Sequence, residues 1–260
     1  MLANKTAVIT GSTSGIGLGC ARAFAEKGAN VVINGLGDAD EIEKTRAAIE
    51  ADFGVRCTYS PANMLKGDEI AGMIADTEKE FGGVDILVNN AGIQFVSPVD
   101  EFPVDKWDAI IAINLTSAFH AIRAALPGMK SRGWGRIINT ASAHALVASP
   151  YKSAYVAAKH GIIGLTKVTA LENATRNITC NAICPGWVRT ALVEKQIAAL
   201  AEKEGLETEE AARQLLAAKE PSLRFTRPEE LAEAAAFLCG PGGANMTGAS
   251  LAMDGGWSIQ

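Results

Sequence analysis

The chain has 260 residues, 48% of them hydrophobic and 26 of them glycine, with 24 Lys and Arg against 29 Asp and Glu for a formal charge of −5. Such a length fits one large domain with a substantial core, and the mild acidity argues against nucleic acid or an anionic membrane as partner. No apolar run approaches the roughly 18 residues of a membrane span, and strand-like sequence begins almost at once at Thr6, so the expectation is a cytoplasmic protein without a signal peptide.

The first strand is predicted at Thr6–Thr10. It runs into Thr10-Gly11-Ser12-Thr13-Ser14-Gly15-Ile16-Gly17, which opens a helix over Ile16–Lys27. Gly11 permits a tight turn, Gly15 lets the backbone approach a pyrophosphate, and Gly17 lets the helix pack closely. The helix N-terminus adds unpaired N–H groups and a positive dipole end for a phosphate. Three glycines alone are a weak signal, but in the first strand-to-helix turn of an alternating chain they read as a dinucleotide site.

The alternation continues almost to the end. Further strands are predicted at Asn30–Asn34, Val55–Ser60, Asp85–Asn90, Arg136–Ser142, Ile178–Cys184 and Ser250–Met253. Helices are predicted at Asp40–Asp52, Gly67–Phe81, Lys106–Lys130, Ala154–Thr175 and Pro228–Leu238. Several strands are continuous apolar runs, as expected when both faces are covered. Repeated β-α-β implies a single α/β domain over 1–260 with a doubly wound, seven-stranded parallel sheet and right-handed crossovers.

Only Thr190–Phe225 breaks the rhythm, with two helical patterns and no strand. An insertion after a strand's carboxyl end is placed to act as a lid. Its first apolar stripe, Leu192, Val193, Ile197 and Leu200, contains Gln196, an amide that needs either a structural partner or a ligand.

The five cysteines, Cys20, Cys57, Cys180, Cys184 and Cys239, lack metal-ligand spacing, and no metal site is expected. Cys180 and Cys184 share one predicted strand, which separates their Cα atoms by about 13 Å, too far for a disulfide. Buried free thiols are expected.

The densest chemistry lies between Ser142 and Lys159. Ser142 closes a predicted strand, at the edge where open parallel sheets bind ligands. Tyr155 and Lys159 are four apart in an Ala-rich helical run and share a face. An ammonium beside a phenol favours the phenolate, and is expected to lower the phenol from its usual value of about 10 so that it serves as a general acid and base.

Thr10-Gly-x-x-x-Gly-x-Gly17, Asn89-Asn-Ala-Gly92, Asn114, Ser142, Tyr155-x-x-x-Lys159 and Pro185-Gly186, in this order, resemble the short-chain dehydrogenase/reductase family over the whole chain. The resemblance implies a Rossmann fold, a nicotinamide cofactor, and catalysis by Ser142, Tyr155 and Lys159 with Asn114 in a proton relay. It implies cofactor contacts from Gly11, Thr13, Ser14, Gly15, Ile16, Gly17, Leu36, Asn63, Met64, Asn90, Ala91, Gly92, Tyr155, Lys159, Pro185, Gly186 and Val188. It also implies a homotetramer or dimer built through the long helices.

Two departures bear on the cofactor. Asn63 replaces the family's usual Asp after the third strand, and Asn34-Gly35-Leu36-Gly37-Asp38 lacks the usual acid for the ribose hydroxyls. Equally, no Arg or Lys lies there or in Ser12-Thr13-Ser14 to meet a 2′-phosphate, whose desolvation without a cation is costly. NAD is therefore favoured over NADP.

Gln94, His144, Lys152 and Gln196 add polar groups around the reacting centre. His144 falls on the same side as Ser142 if the strand persists, and Lys152 lies one turn before Tyr155 if the helix has begun. One cation among neutral donors suits a short carboxylate. Trp187 and Trp257 could wall off a small apolar group. Taken singly, each reads as well as a solvated or core residue. Together, in Asn90-Ala-Gly-Ile-Gln94, Ala141-Ser-Ala-His144, Lys152-Ser-Ala-Tyr155 and Val193-Glu-Lys-Gln196, they resemble the branch of the family that acts on short 3-hydroxy acids. That resemblance implies a small hydroxy acid or keto acid as substrate, held by Gln94, Ser142, His144, Lys152, Tyr155, Trp187, Gln196 and Trp257. The competing readings are a 3-oxoacyl-carrier-protein reductase, which would need NADPH and a basic docking surface, and a dinucleotide-binding sensor without turnover.

Overall fold

Every central strand buries side chains on both faces, and this organises the chain. In the computed structural model, which describes residues 1–260, there are seven strands. They are β1 (Thr6–Ile9), β2 (Asn30–Asn34), β3 (Cys57–Ser60), β4 (Ile86–Asn89), β5 (Gly135–Thr140), β6 (Ile178–Pro185) and β7 (Ser250–Met253). They form one sheet, ordered β3-β2-β1-β4-β5-β6-β7, in which every pairing is parallel. The doubly wound sheet expected from the alternation is present.

Ala7, Ile9, Val31, Ile33, Ile86 and Val88 point into one core, and the residues between them, Val8, Val32 and Leu87, into the other. The period of two is there, but both faces are apolar, so the sequence reads as a continuous run. The first face is covered by α1 (Gly15–Glu26), α2 (Ala39–Phe53) and α9 (Pro228–Cys239), through Phe24, Ile49 and Leu231 among others. The second is covered by α3 (Gly67–Phe81), α5 (Ser117–Arg132) and α6 (Ser153–Asn173), through Ile74, Met129 and Ala170. Ile86 is fully buried at the centre of the sheet; truncating such a residue to Ala costs about 2–5 kcal/mol.

The predicted strands at Thr6–Thr10, Asp85–Asn90 and Arg136–Ser142 run one or two residues past β1, β4 and β5 at their carboxyl ends, where loop contacts begin. Thr10 Oγ1 accepts from the backbone N–H groups of Asn90 and Ala91 at 2.9 and 3.1 Å. Ser142 lies beyond β5 altogether.

The helix predicted over Lys106–Lys130 is not continuous. It comprises α4 (Val104–Ile111), a π-helical turn at Ala112–Thr116, and α5. The turn holds Asn114, whose amide bonds the Ile93 backbone twice, through Oδ1 from Ile93 N at 2.8 Å and Nδ2 to Ile93 O at 2.9 Å. Such turns recur at functional sites. Together these 29 residues, Val104–Arg132, are long and apolar enough to cross a membrane by composition, with a hydropathy of 1.5. Their apolar side is used elsewhere: Ala121, Ile122, Ala125 and Met129 pack under the sheet.

The insertion at Thr190–Phe225 holds α7 (Ala191–Glu204) and α8 (Thr208–Ala217). Val193, Ile197, Ala211, Ala212 and Leu216 make a small core with Trp187 and Trp257. Arg189 ties the two helices together through Glu194 and Glu209. All five cysteines are buried and free.

Because β1 has β2 on one side and β4 on the other, the chain leaves β1 and β4 in opposite directions. The crevice at their carboxyl ends is the switch point where ligands of such sheets bind.

Candidate active site

A cavity of about 320 Å³ opens at that switch point, running from the glycine loop to Trp257. At the loop end, Gly11 and Gly15 take φ of +61° and +55°, conformations in which any side chain is strained. A methyl group on Gly17 would run into the Gly11 carbonyl, so Gly17 lies under the loop and does not line the cavity. Asn90 Nδ2 donates to the carbonyls of Thr10 and Gly11 at 3.0 and 2.9 Å, stitching the loop to the end of β4. Ser14 caps α1 without a side-chain hydrogen bond, which leaves the first-turn N–H groups facing the crevice. This cradle fits the pyrophosphate of a dinucleotide.

Asn34, an unassuming strand residue in the sequence, is the buried tie beneath this loop. Its Oδ1 accepts from Gly11 N at 3.3 Å and its Nδ2 donates to Ser60 O and Ala62 O at 3.0 and 2.9 Å. Leu36, 79% exposed, sits at the rim. Asp38 is spent on capping α2. Two of the expected cofactor contacts, Asn63 and Met64, lie outside this cavity's lining. Asn63 accepts from Leu65 N through Oδ1, and Met64 packs into the core beneath α3, so neither lines the cavity. Glu69 accepts from Asn63 N at 2.8 Å.

At the reacting end, Ser142 is extended and caps a 3-10 turn, Ala143–Ala145, accepting from His144 N at 3.2 Å. The strand therefore does not persist to His144. The turn, not a strand face, sets His144 Nδ1 3.5 Å from Ser142 Oγ. Helix α6 starts one residue after Lys152 and carries Tyr155 and Lys159 on one side. The Lys159 ammonium donates to the Thr140 carbonyl at 2.6 Å and lies 5.6 Å from the Tyr155 ring centre. Burial pulls it down to about 8. The Tyr155 phenol differs from expectation: burial pushes it up, opposed only by a hydrogen bond with Ser142.

A polar cluster lies beside Trp187 and Trp257. Gln196 Oε1 is 3.4 Å from both Gln94 Nε2 and Lys152 Nζ. Lys152 Nζ lies 5.2 Å from the centre of the Trp187 ring, which stacks on Trp257 at 5.6 Å. His144 packs edge-on against Trp257 at 4.9 Å and Tyr155 at 5.8 Å. Burial, then the charges of Lys152 and Lys219, pull His144 down to about 3, so it is neutral at ordinary pH, and its Nε2 is buried without a protein partner. Burial, then Lys219, pulls Lys152 down to about 8. The cavity thus has Ser142, Tyr155 and Lys159 in its middle, a cation with neutral donors at one end and the glycine-loop cradle at the other.

A sequence model of the family described as Enoyl-(Acyl carrier protein) reductase matches residues 11–258. The chain belongs to the short-chain dehydrogenase/reductase family. Within it, the chain is 57% identical to a D-beta-hydroxybutyrate dehydrogenase of Cupriavidus necator, covering all of both chains. It is 54% identical to a D-beta-hydroxybutyrate dehydrogenase of Rhizobium meliloti, over 98% of this chain and 99% of that one. In structure it resembles L-sorbose reductase from Gluconobacter frateurii complexed with NADPH and L-sorbose, with a TM-score of 0.94 and 31% identity over 100% of this chain and 98% of that one.

Four further residues enter the site that sequence reasoning passes over. Thr140 anchors Lys159, Thr190 stands opposite Gly15, Lys219 lies 5.9 Å from the Trp257 ring centre, and Glu220 accepts from the Trp187 backbone N–H. Thr140 had a partial signal, lying near the carboxyl end of a predicted strand. Lys219-Glu220, in a charged run, had none.

Proposed function

We propose that this short-chain dehydrogenase uses NAD to oxidise (R)-3-hydroxybutyrate reversibly to acetoacetate. The observation that carries this is the Lys152–Gln196–Gln94 cluster, set beside Ser142 and Tyr155 and walled by Trp187 and Trp257. A carboxylate held there by Lys152 would leave its C3 hydroxyl near the phenol and its methyl group against indole. The two hydroxybutyrate dehydrogenases at 57% and 54% identity support the same substrate.

In oxidation, Tyr155 Oη takes the C3 hydroxyl proton while Ser142 hydrogen-bonds that oxygen. When bound, NAD supplies the acceptor for the hydride leaving C3. Lys159 keeps a positive charge beside the phenol from its anchor on Thr140 O. Neutral His144, with Gln94 and Gln196, supplies hydrogen bonds to the carboxylate. Asn114 has its amide committed to Ile93, so in this scheme it is a positioning residue of the proton relay. NAD is preferred because the only cations lining the cavity, Lys152 and Lys159, are at the reacting end, which leaves none for a 2′-phosphate.

We extend the proposal to a cytoplasmic homotetramer. Phe119 on α5 and Val168 and Leu171 on α6 are exposed on the long helices, which supports assembly there. Buried free thiols suit a reducing compartment. The test is NADH formation from each enantiomer of 3-hydroxybutyrate, and from longer 3-hydroxy acids, with NAD and NADP. Turnover of the R enantiomer with NAD supports the reading; no turnover of either enantiomer sinks it.

A further inference from the structure

Glu220 lies at the root of the lid and is 1% exposed, yet no step above uses it. Its Oε1 accepts from the backbone N–H of Trp187, and its Oε2 is buried with no partner. A methyl group on Gly186 would run into Oε1 and come within 2.9 Å of Asp254 Cα. The carboxyl is thus wedged between the Gly186–Trp187 peptide and the Asp254–Gly255 turn. Thr226 N donates to Trp187 O at 2.9 Å, so the segment following α8 grips Trp187 by both polar backbone groups. The ring of that residue underlies Lys152 and stacks on Trp257.

The charged groups around Glu220 favour a neutral carboxyl. Asp254, from the C-terminal turn, has both oxygens engaged by Gly256 N and Ser258 N and adds a like charge. Arg224, which opposes this, is paired with Glu230 at 2.9 Å. Lys219 points to the Trp257 ring. Burial, aided by Asp254, pushes Glu220 up to about 7 against the opposing pull of the Trp187 N–H and of Arg224. A buried carboxylate with a single hydrogen bond is costly, whereas a neutral carboxyl satisfies the Trp187 N–H through its carbonyl oxygen.

We propose that Glu220 is a positioning residue of the acid site: as a neutral carboxyl it holds the Gly186–Trp187 peptide under Lys152, and its ionisation loosens that peptide and weakens substrate binding. The inference rests on the hydroxy-acid reading above and extends it to the lid root. The direction follows from linkage. The carboxyl's value is raised in the folded protein, so the hold is complete at acid pH and is lost as pH rises through about 7.

Two measurements on the full-length protein test this, with Glu220→Gln, which keeps the acceptor without the charge, and Glu220→Ala, which keeps neither. In protein labelled with ¹⁵N-tryptophan, the Trp187 amide resonance should step near neutral pH in wild type and stay flat in E220Q. The KM for 3-hydroxybutyrate, as the ratio of wild type to E220Q at each pH, should be near one in acid and climb about threefold to tenfold through neutrality, the range for one hydrogen bond. Taking the ratio cancels the titration of Lys152. E220A should have a raised KM at every pH, with kcat less affected. An amide without a step overturns the proposal whatever the substrate is, as does a flat KM ratio or a Gln variant as impaired in acid as Ala. Absence of turnover in wild type, by contrast, would sink the substrate reading while the amide titration still judged Glu220.

Discussion

The Lys159 ammonium donates to the Thr140 carbonyl at 2.6 Å, so the helix bearing Tyr155 is pinned to the last residue of β5. The bond fixes the phenol's height above the sheet edge, where the glycine loop and the Trp187 wall converge. It also divides the work. Lys159 supplies position and a nearby charge, and Tyr155 supplies the proton transfer.

Tyr155→Phe should therefore lower kcat by a factor of about 10²–10⁴, the usual contribution of a positioned acid and base. NADH binding, followed by fluorescence, should stay within a few-fold, because the phosphate cradle lies at the other end of the cavity. A near-normal kcat would remove the phenol from the mechanism.

Lys152 sets a pH dependence. Its value is lowered to about 8, so the cation is present below that pH and lost above it. The ratio of kcat/KM for 3-hydroxybutyrate to that for its methyl ester should fall as pH rises through about 8. Titration of Tyr155 affects both substrates and drops out of the ratio, and measuring the ratio in E220Q removes any contribution from Glu220. A constant ratio from neutral to alkaline pH would show that no titrating cation reads the carboxylate.

Much of this was legible beforehand, and what was not has physical reasons. The parallel, doubly wound sheet follows from the β-α-β alternation, and the glycine loop, Tyr155 and Lys159 follow from local spacing. The phenol's direction differs from the expectation because helical spacing places Lys159 beside Tyr155 but does not reveal how deeply the folded chain buries the phenol. His144 reaches Ser142 through a 3-10 turn, and no alternation pattern encodes that turn. The π-turn at Asn114 depends on Ile93, 21 residues away, bonding its amide. Glu220 resembles any surface acid in Lys219-Glu220-Pro221, and only the returning chain buries it.

NADP should be used at least tenfold less efficiently than NAD in kcat/KM. The rim residues Gly35 and Leu36 offer no charge to a 2′-phosphate, and Asp38 is fixed at the start of α2. Leu36→Arg should narrow the gap by raising kcat/KM with NADP, since a paired phosphate is stabilised by a charge-assisted hydrogen bond. Equal use of both cofactors by wild type would show that a cation reaches the site from another segment.

Backbone amides across α7 and α8 should exchange more slowly with NAD and a non-reacting acid analogue bound than with NAD alone. Leu192, Val193 and Gln196 on α7 face the cavity, and Gln196 already contacts Lys152. Unchanged exchange over 190–225 would make the insertion a rigid part of the scaffold.

The central claim is that a carboxylate binds at Lys152, next to Tyr155, and it is tested most directly by Lys152→Met assayed with 3-hydroxybutyrate and with its methyl ester. A charge-assisted hydrogen bond contributes about 1.5–3 kcal/mol, so kcat/KM for the acid should fall about tenfold to hundredfold while that for the ester changes little. His144→Ala and Gln196→Ala should show the same selectivity with smaller losses. Lys152 directly precedes α6, so a disturbed helix would slow both substrates alike. Equal losses for acid and ester would contradict the account, leaving Lys152 as a residue of the helix start and the carboxylate without a site.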